Sequence, residues 1–400
     1  MKIGLIKEGK TPADTRVALN PAQAKAAQGL GFDITVQKSE SRCFSDEEYA
    51  EAGLNLVEDM SDRDVLIGIK EVPIEQLIGD KSYFFFSHTI KAQPYNQKLI
   101  QALAEKNIRM IDYEVLTDEN GQRIIAFGRW AGIVGALNGL RAYGLRTGSF
   151  ELKPVNQFRD YEAVKKAIAE LDLPAFKIAV SGGGRVAKGA MEILDFLKVK
   201  KVDVKAFTED RFDEPVYVQL DSDVLFERKD GAAFEFQNFF SNPEKYKSQF
   251  HKYYGAADLF INAIYWDPKA PALFSKEEMA QDDFNISTIA DITCDIAPEA
   301  SVPSTIRPST IADPIFGYDP NTNVETDAFS EEAVTVMAVD NLPNELPRDA
   351  STAFGEKMLE FILPELKKAE SKILDRATIV QNGKLNEPFF YLQDYLDGKV

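Results

Sequence analysis

Phe176-Lys177-Ile178-Ala179-Val180-Ser181-Gly182-Gly183-Gly184-Arg185-Val186-Ala187 is the stretch that decides the fold of this chain. An apolar run of strand length enters a glycine cluster, and a helical stretch from Lys188 to Leu197 follows at once. Gly182-x-Gly184-x-x-Ala187 fits the pattern in which the first glycine makes a tight turn and the second admits a pyrophosphate to backbone amides at a helix N-terminus. A plain tight turn would use the same residues, so the strand-turn-helix context carries the reading of a dinucleotide-binding unit, with Gly182, Gly183, Gly184, Arg185 and Val186 around the phosphates.

Working outward, strand patterns at Lys201 to Phe207, Leu259 to Ile264 and Ser287 to Asp291 complete one βα series. Ala263 and Ile264 fall at the end of one of these strands, where such sheets present ligands. A second series lies upstream. Ile3 to Ile6, Asp33 to Gln37, Val65 to Ile69, Ser82 to Phe86 and Arg109 to Asp112 read as strands, with helical stretches such as Pro21 to Gln28 and Gln93 to Lys106 between them. Arg129 to about Arg146 is a small, apolar, glycine-punctuated helix pattern, read as a closely packed interdomain connector. Glu209 to Tyr254 is charged and aromatic without periodicity, and its fold does not follow from its pattern. The expectation is an α/β protein with two Rossmann-like, doubly wound parallel-sheet domains and an interdomain cleft. Residues 1–129 plus about 325–400, including a Phe354 to Lys368 helix pattern, form the substrate-binding domain, and 130–324 form the dinucleotide-binding domain. An acidic residue at the end of the strand after the glycine loop would bind the ribose. Glu209 is the nearest candidate, because Asp203 lies at the usual spacing but mid-strand.

Composition bounds the class. Over 400 residues, 46 Lys and Arg against 64 Asp and Glu give a net charge of −18, which argues against nucleic-acid and anionic-membrane partners. Two cysteines, Cys43 and Cys294, are too few for a disulfide framework and lack metal-site spacing, so a cytoplasmic location and no metal are expected. No apolar run reaches membrane-span length, and the N-terminus passes directly into a strand pattern, so the mature chain is expected to start at Met1.

The chemistry is expected in the first domain. Tyr83-Phe84-Phe85-Phe86 ends abruptly in Ser87-His88-Thr89-Ile90-Lys91, and His88 is one of only two histidines; the other, His251, is read as structural. Val65-Leu66-Ile67-Gly68-Ile69 ends in the same way at Lys70-Glu71. Two neighbouring strands thus deliver an imidazole and an amine beyond their carboxyl ends, a pairing suited to proton transfer. On pattern alone, a histidine at a strand end is more often a satisfied structural residue, and Lys70 and Arg16 are more often surface ion-pair partners.

Several ordered blocks add to this. Phe86-Ser87-His88-Thr89-Ile90-Lys91-Ala92-Gln93, Ile111-Asp112-Tyr113-Glu114, Ala126-Phe127-Gly128-Arg129-Trp130-Ala131-Gly132, Ile261-Asn262-Ala263-Ile264-Tyr265-Trp266, Asp291-Ile292-Thr293-Cys294-Asp295 and Asp340-Asn341-Leu342-Pro343 extend over nearly the whole chain. They resemble the lysine-2-oxoglutarate reductase half of bifunctional aminoadipic semialdehyde synthase and, more loosely, fungal lysine-forming saccharopine dehydrogenase. The N-terminal Lys7-Glu8 and Arg16-Val17-Ala18-Leu19-Asn20-Pro21 are similar in style to the wider superfamily of alanine dehydrogenase and the transhydrogenase α chain. The resemblance implies interconversion of saccharopine with L-lysine and 2-oxoglutarate by hydride transfer through an imine, with Lys70 and His88 as acid-base groups. It also implies Arg16 and Arg123 as carboxylate-binding cations, Lys91 as a third, Glu71 and Glu114 as acidic lining, Phe127 as a wall, and Asp291 near the substrate amine. Lysine serves as a base near neutrality only if burial or a neighbouring cation such as Lys91 lowers its pKa. The cofactor is expected to be NAD(H) or NADP(H); the acidic Thr208-Glu209-Asp210 patch would repel a 2′-phosphate and inclines the expectation to NAD(H). Small-molecule partners alone are expected, in a monomer or homodimer. An alanine dehydrogenase-like or opine-type enzyme, or a catalytically silent amino-acid or nucleotide sensor, remain the alternatives.

Overall fold

The computed structural model describes residues 1–399; Val400, the last residue of the expected C-terminal segment, lies outside them. The chain divides into two compact units, Met1–Phe127 with Pro347–Val400, and Gly128–Leu346.

The first unit opens with six strands, β1 (Lys2–Leu5), β2 (Asp33–Gln37), β3 (Asn55–Val57), β4 (Val65–Ile67), β5 (Ser82–Phe85) and β6 (Arg109–Asp112). The second contains β7 (Lys177–Ser181), β8 (Lys200–Lys201), β9 (Val216–Leu220), β10 (Phe226–Arg228), β11 (Tyr246–Ser248), β12 (Leu259–Asn262), β13 (Thr288–Asp291), β14 (Ile315–Asp319), β15 (Val324–Thr326) and β16 (Val334–Met337). The chain then returns to the first unit for β17 (Thr378–Gln381) and β18 (Lys384–Leu385). The strand orders are β18-β17-β6-β5-β4-β1-β2-β3 in one sheet and β15-β14-β16-β13-β12-β7-β9-β8 in the other. Each sheet is mixed rather than all-parallel: six parallel strands carry an antiparallel pair at one edge.

The short apolar runs become strands because both faces of each sheet are covered. In β4 and β5, Val65, Ile67 and Phe84 enter one core cluster, while Leu66, Tyr83 and Phe85 enter the opposite one. That alternation is the two-residue period of a strand acting on a continuous apolar sequence.

Two boundaries differ from expectation. Val334–Met337 pairs in parallel with β13, so the crossing back falls at Pro347 instead of near residue 325. The glycine-rich helix Gly128–Thr147 is an integral layer of the second unit, packed on the helix Arg185–Phe196 and on β13, not a separate connector. A Cβ added at Gly132 would lie 1.9 Å from the Val186 carbonyl oxygen, and one at Gly189 2.2 Å from that of Arg129. Only glycine permits so close a helix crossing.

Candidate active site and cofactor pocket

In both sheets the first strand has neighbours running off in opposite directions, β2 and β4 beside β1, β9 and β12 beside β7. Ligands bind open α/β sheets beyond the carboxyl ends of the strands at such a switch. In the first unit, the segments leaving β1, β4, β5 and β6 carry Glu8 to Arg16, Lys70-Glu71, His88 and Glu114.

His88 and Glu71 are joined, with Nδ1 of the imidazole 2.5 Å from Oε1 of the carboxylate. Lys10 Nζ reaches the other oxygen, Oε2, at 3.1 Å. Burial works against ionisation of Glu71, but the His88 hydrogen bond and charge and the Lys10 ammonium hold its pKa down to about 2. The carboxylate therefore stays charged and orients the ring. His88 has a φ of 52°, as does Ala92; this left-handed backbone costs roughly 1–2 kcal/mol per non-glycine residue. A buried network holds the turn: Ser87 donates from its backbone amide (2.9 Å) and its hydroxyl to Asp112, and Asn96 donates to the Ser87 carbonyl at 3.1 Å. Burial lifts Asp112 to about 6 despite those donors.

Lys70 is positioned through its backbone. The Glu8 carboxylate accepts from the Ile69 amide at 2.7 Å and from the Lys70 amide at 2.8 Å, and the Tyr113 hydroxyl donates to the Gly68 carbonyl at 3.0 Å. Burial raises Glu8 to about 8, with the Asp14 charge adding to it against the two amides and Arg16. Lys70 itself is lowered, first by burial and then by the Arg16 and Lys10 charges, with Glu71 opposing. The depressing cations are thus Arg16 and Lys10, not the expected Lys91, which is exposed in the loop after His88.

Arg16 is buried, forked onto the Asp14 carboxylate with Nε at 2.9 Å, and covered by the Phe127 ring at 4.1 Å. Arg123 is half-exposed beside Glu114, 3.4 Å from Oε1, and donates from Nε to the Glu114 carbonyl at 3.0 Å. The second oxygen of Glu114, Oε2, is buried with no hydrogen-bond partner. A buried, unsatisfied carboxylate oxygen is costly.

In the second unit, a pocket of about 600 Å³ gathers seven of the expected residues, Gly182, Gly183, Gly184, Arg185, Val186, Ala263 and Ile264. Gly182 has a φ of 92°, and Gly184 caps the helix Arg185–Phe196. A Cβ on Gly184 would meet nothing within 4 Å, so the space against the helix N-terminus is open. A pyrophosphate fits this cradle, with its charge on the first amides of the helix. Beneath it, Asn262 donates to Asp291 and Ser301, and Ser181 donates to Asn262, tying the ends of β7, β12 and β13 together. Asp291 is fully buried, its oxygens taken by Asn262, Thr293 and Thr305, so this structure shows a floor residue where a substrate ligand was expected. Ile292 and Thr293 line the pocket in its place.

Glu209 is a second correction. Only Lys200 and Lys201 are extended; Asp203 accepts from the Ala206 amide at 2.9 Å, capping the helix Val204–Glu209 and ending the strand. Glu209 is exposed on that helix, away from the pocket. The strand beside β7 is β9, and Asp221 at its end lines the pocket, so close that a Cβ on Gly183 would lie 2.2 Å from Asp221 Oδ2. The signal for it, Val216-Tyr217-Val218-Gln219-Leu220-Asp221, lay inside the stretch that had shown no periodicity. Cys294 is a packing thiol: burial pushes it up to about 12, and Sγ donates to the Ala338 carbonyl. Among the described residues no cluster of His, Cys, Asp and Glu is arranged to hold a metal, and no helix is long and apolar enough to cross a membrane.

Comparison with known proteins agrees with this architecture. An L-alanine dehydrogenase structure superposes with a TM-score of 0.66 at 16% identity, covering 100% of both chains, and a transhydrogenase from Sinorhizobium meliloti does so at 0.58 and 14%, over 96% of this chain and 100% of its own. Homologues include an alpha-aminoadipic semialdehyde synthase of Rattus norvegicus, 29% identical over 98% of this chain and 47% of its own length, so the chain spans about half of that relative. A saccharopine dehydrogenase (NAD(+), L-lysine-forming) of Emericella nidulans is 26% identical over 96% of this chain and 97% of its own. The family model for the alanine dehydrogenase/PNT N-terminal domain matches residues 4–134, and that for the C-terminal domain matches 167–387; the chain belongs to the alanine dehydrogenase/PNT family.

Proposed function

We propose that this chain is a nicotinamide-dependent oxidoreductase that interconverts saccharopine with L-lysine and 2-oxoglutarate. The observation that carries the reading is the grouping around Lys70: an amine lowered by burial and by Arg16 and Lys10, with Glu71 beside it holding His88. When bound, the nicotinamide supplies the hydride acceptor or donor. The protein supplies proton transfer and placement. Lys70, when deprotonated, takes a proton from the substrate nitrogen, or from the water that resolves the imine. His88, with Nδ1 committed to Glu71, exchanges protons through Nε2. Saccharopine carries three carboxylates, and Arg123 offers fork geometry for one of them. The orphaned Glu114 Oε2 accepts from the substrate ammonium or amine.

The first unit is the substrate domain and the second the cofactor domain in this reading. Asp221 replaces the Thr208-Glu209-Asp210 patch as the reason to favour NAD(H): a carboxylate at that strand end accepts from the ribose hydroxyls and repels a 2′-phosphate. A cytosolic setting suits the two free cysteines. The test is oxidation of NADH and of NADPH by purified protein given lysine plus 2-oxoglutarate, each omitted in turn, with ammonia plus pyruvate as the rival pair. Oxidation that needs both lysine and 2-oxoglutarate supports the reading; oxidation driven by ammonia and pyruvate, or none with either pair, refutes it.

A further inference from the structure

We propose that Phe236 and Phe240 form an aromatic shelf that takes the adenine ring of the dinucleotide. This rests on the cofactor reading above and adds an affinity-determining surface to it. Beyond β9 the chain leaves the main sheet and builds the antiparallel pair β10-β11, with the helix Phe236–Ser241 between its strands. The excursion has its own aromatic core. Phe239, 5% exposed, stacks on Phe226 at 4.7 Å and meets the Tyr246 ring edge-on at 5.0 Å, with Phe234 packed against Phe239 and Tyr246. Phe236 and Phe240 pack on the edge of that core, 5.1 Å from Phe234 and 5.9 Å from Phe239, yet remain 48% and 57% exposed. Four residues apart, they share one helix face, and both line the pocket that holds Gly184 and Asp221.

An anchored helix that turns two large rings toward a pocket, instead of burying them, presents a surface for a flat apolar ligand. The pocket's two sides tell the two halves of a dinucleotide apart. Ile292 and Thr293 follow β13, on one side of the glycine strand; Asp221 follows β9, on the other. The carboxylate that reads the ribose belongs to the adenosine half, and the shelf is carried by the segment that leaves β9 directly after Asp221. Stacking of a base on an aromatic face is strong and indifferent to ring substituents. The shelf therefore holds NADH and NADPH alike, while Asp221 separates them.

The test is calorimetric titration of wild-type protein and of the Phe236→Ala/Phe240→Ala variant with NADH, ADP-ribose and nicotinamide mononucleotide. NADH and ADP-ribose affinities should fall together, by roughly 10- to 100-fold for a lost stacking contact, while the mononucleotide is unaffected. Phe236→Tyr/Phe240→Tyr, which keeps the faces, should bind ADP-ribose as wild type does. An alanine variant that binds ADP-ribose within about twofold of wild type, or a loss confined to the mononucleotide, would overturn the shelf, as would wild-type protein that fails to bind ADP-ribose. Wild-type protein that binds ADP-ribose on the shelf yet shows no turnover with lysine and 2-oxoglutarate would sink the proposed reaction and leave the shelf standing.

Discussion

Replacing Gly184 by alanine separates ligand binding from folding. The residue has φ −78° and ψ −168°, extended backbone that any amino acid adopts, and a Cβ there meets nothing within 4 Å. The folded protein therefore accepts the methyl group. Alanine is a poorer helix cap than glycine by up to about 1 kcal/mol, and the smaller entropy of its unfolded chain returns roughly 0.4–1 kcal/mol. Stability should change by less than about 1 kcal/mol. The ligand is another matter. The methyl group projects into the space through which a pyrophosphate must reach the first amides of the helix Arg185–Phe196, and loss of a hydrogen bond to a charged group is worth about 1.5–3 kcal/mol. That converts to roughly 10- to 150-fold weaker NADH binding. Calorimetric titration with NADH, paired with a thermal melt of the same sample, measures both quantities. A variant that melts like wild type and binds NADH within about twofold of it would refute the phosphate cradle.

Gly132→Ala should do the reverse: a methyl 1.9 Å from the Val186 carbonyl forces two helices apart, at about 1–3 kcal/mol, seen as a melting temperature lower by roughly 5 °C. Asp221→Asn should shift the NADPH-to-NADH ratio of kcat/KM upward by about tenfold, since it removes the charge that opposes a 2′-phosphate; an unchanged ratio would remove Asp221 from that role. Lys70→Met and His88→Gln should each lower kcat by roughly 10²–10⁴ with NADH affinity unchanged, and normal turnover in the double variant would overturn the acid-base assignment. Glu8, raised to about 8 from 4.5, carries a pH signature. A raised carboxyl lends stability that is fully present below about pH 4.5 and is lost as pH climbs through 8. Between those limits the urea midpoint should decline more steeply in wild type than in Glu8→Gln, and parallel profiles would contradict the assignment.

How much of this was legible beforehand follows from which signals are local. Strands such as β5 were readable because a sheet buried on both faces demands an uninterrupted apolar run, as in Tyr83-Phe84-Phe85-Phe86, and the glycine turn declared its helix through short-range sterics, whereas β3, β9 and β16 were not read from the pattern. The alternation of strands and helices therefore specified two α/β units, and the abrupt polar ends of β4 and β5 marked Lys70 and His88. What only the tertiary structure decided were relations between segments distant in sequence. β9 sits beside β7 although β8 precedes it in the chain, so the acid facing the glycine loop is Asp221 and not Glu209. β16 pairs with β13, which delays the return crossing to Pro347. Lys70 owes its lowered pKa first to burial and then to Arg16 and Lys10, brought to it by the pairing of β1 with β4. A local pattern records what a residue needs from water and from its immediate neighbours; which strand lies next to which, and which charges share a buried volume, is settled by the free energy of the packed whole.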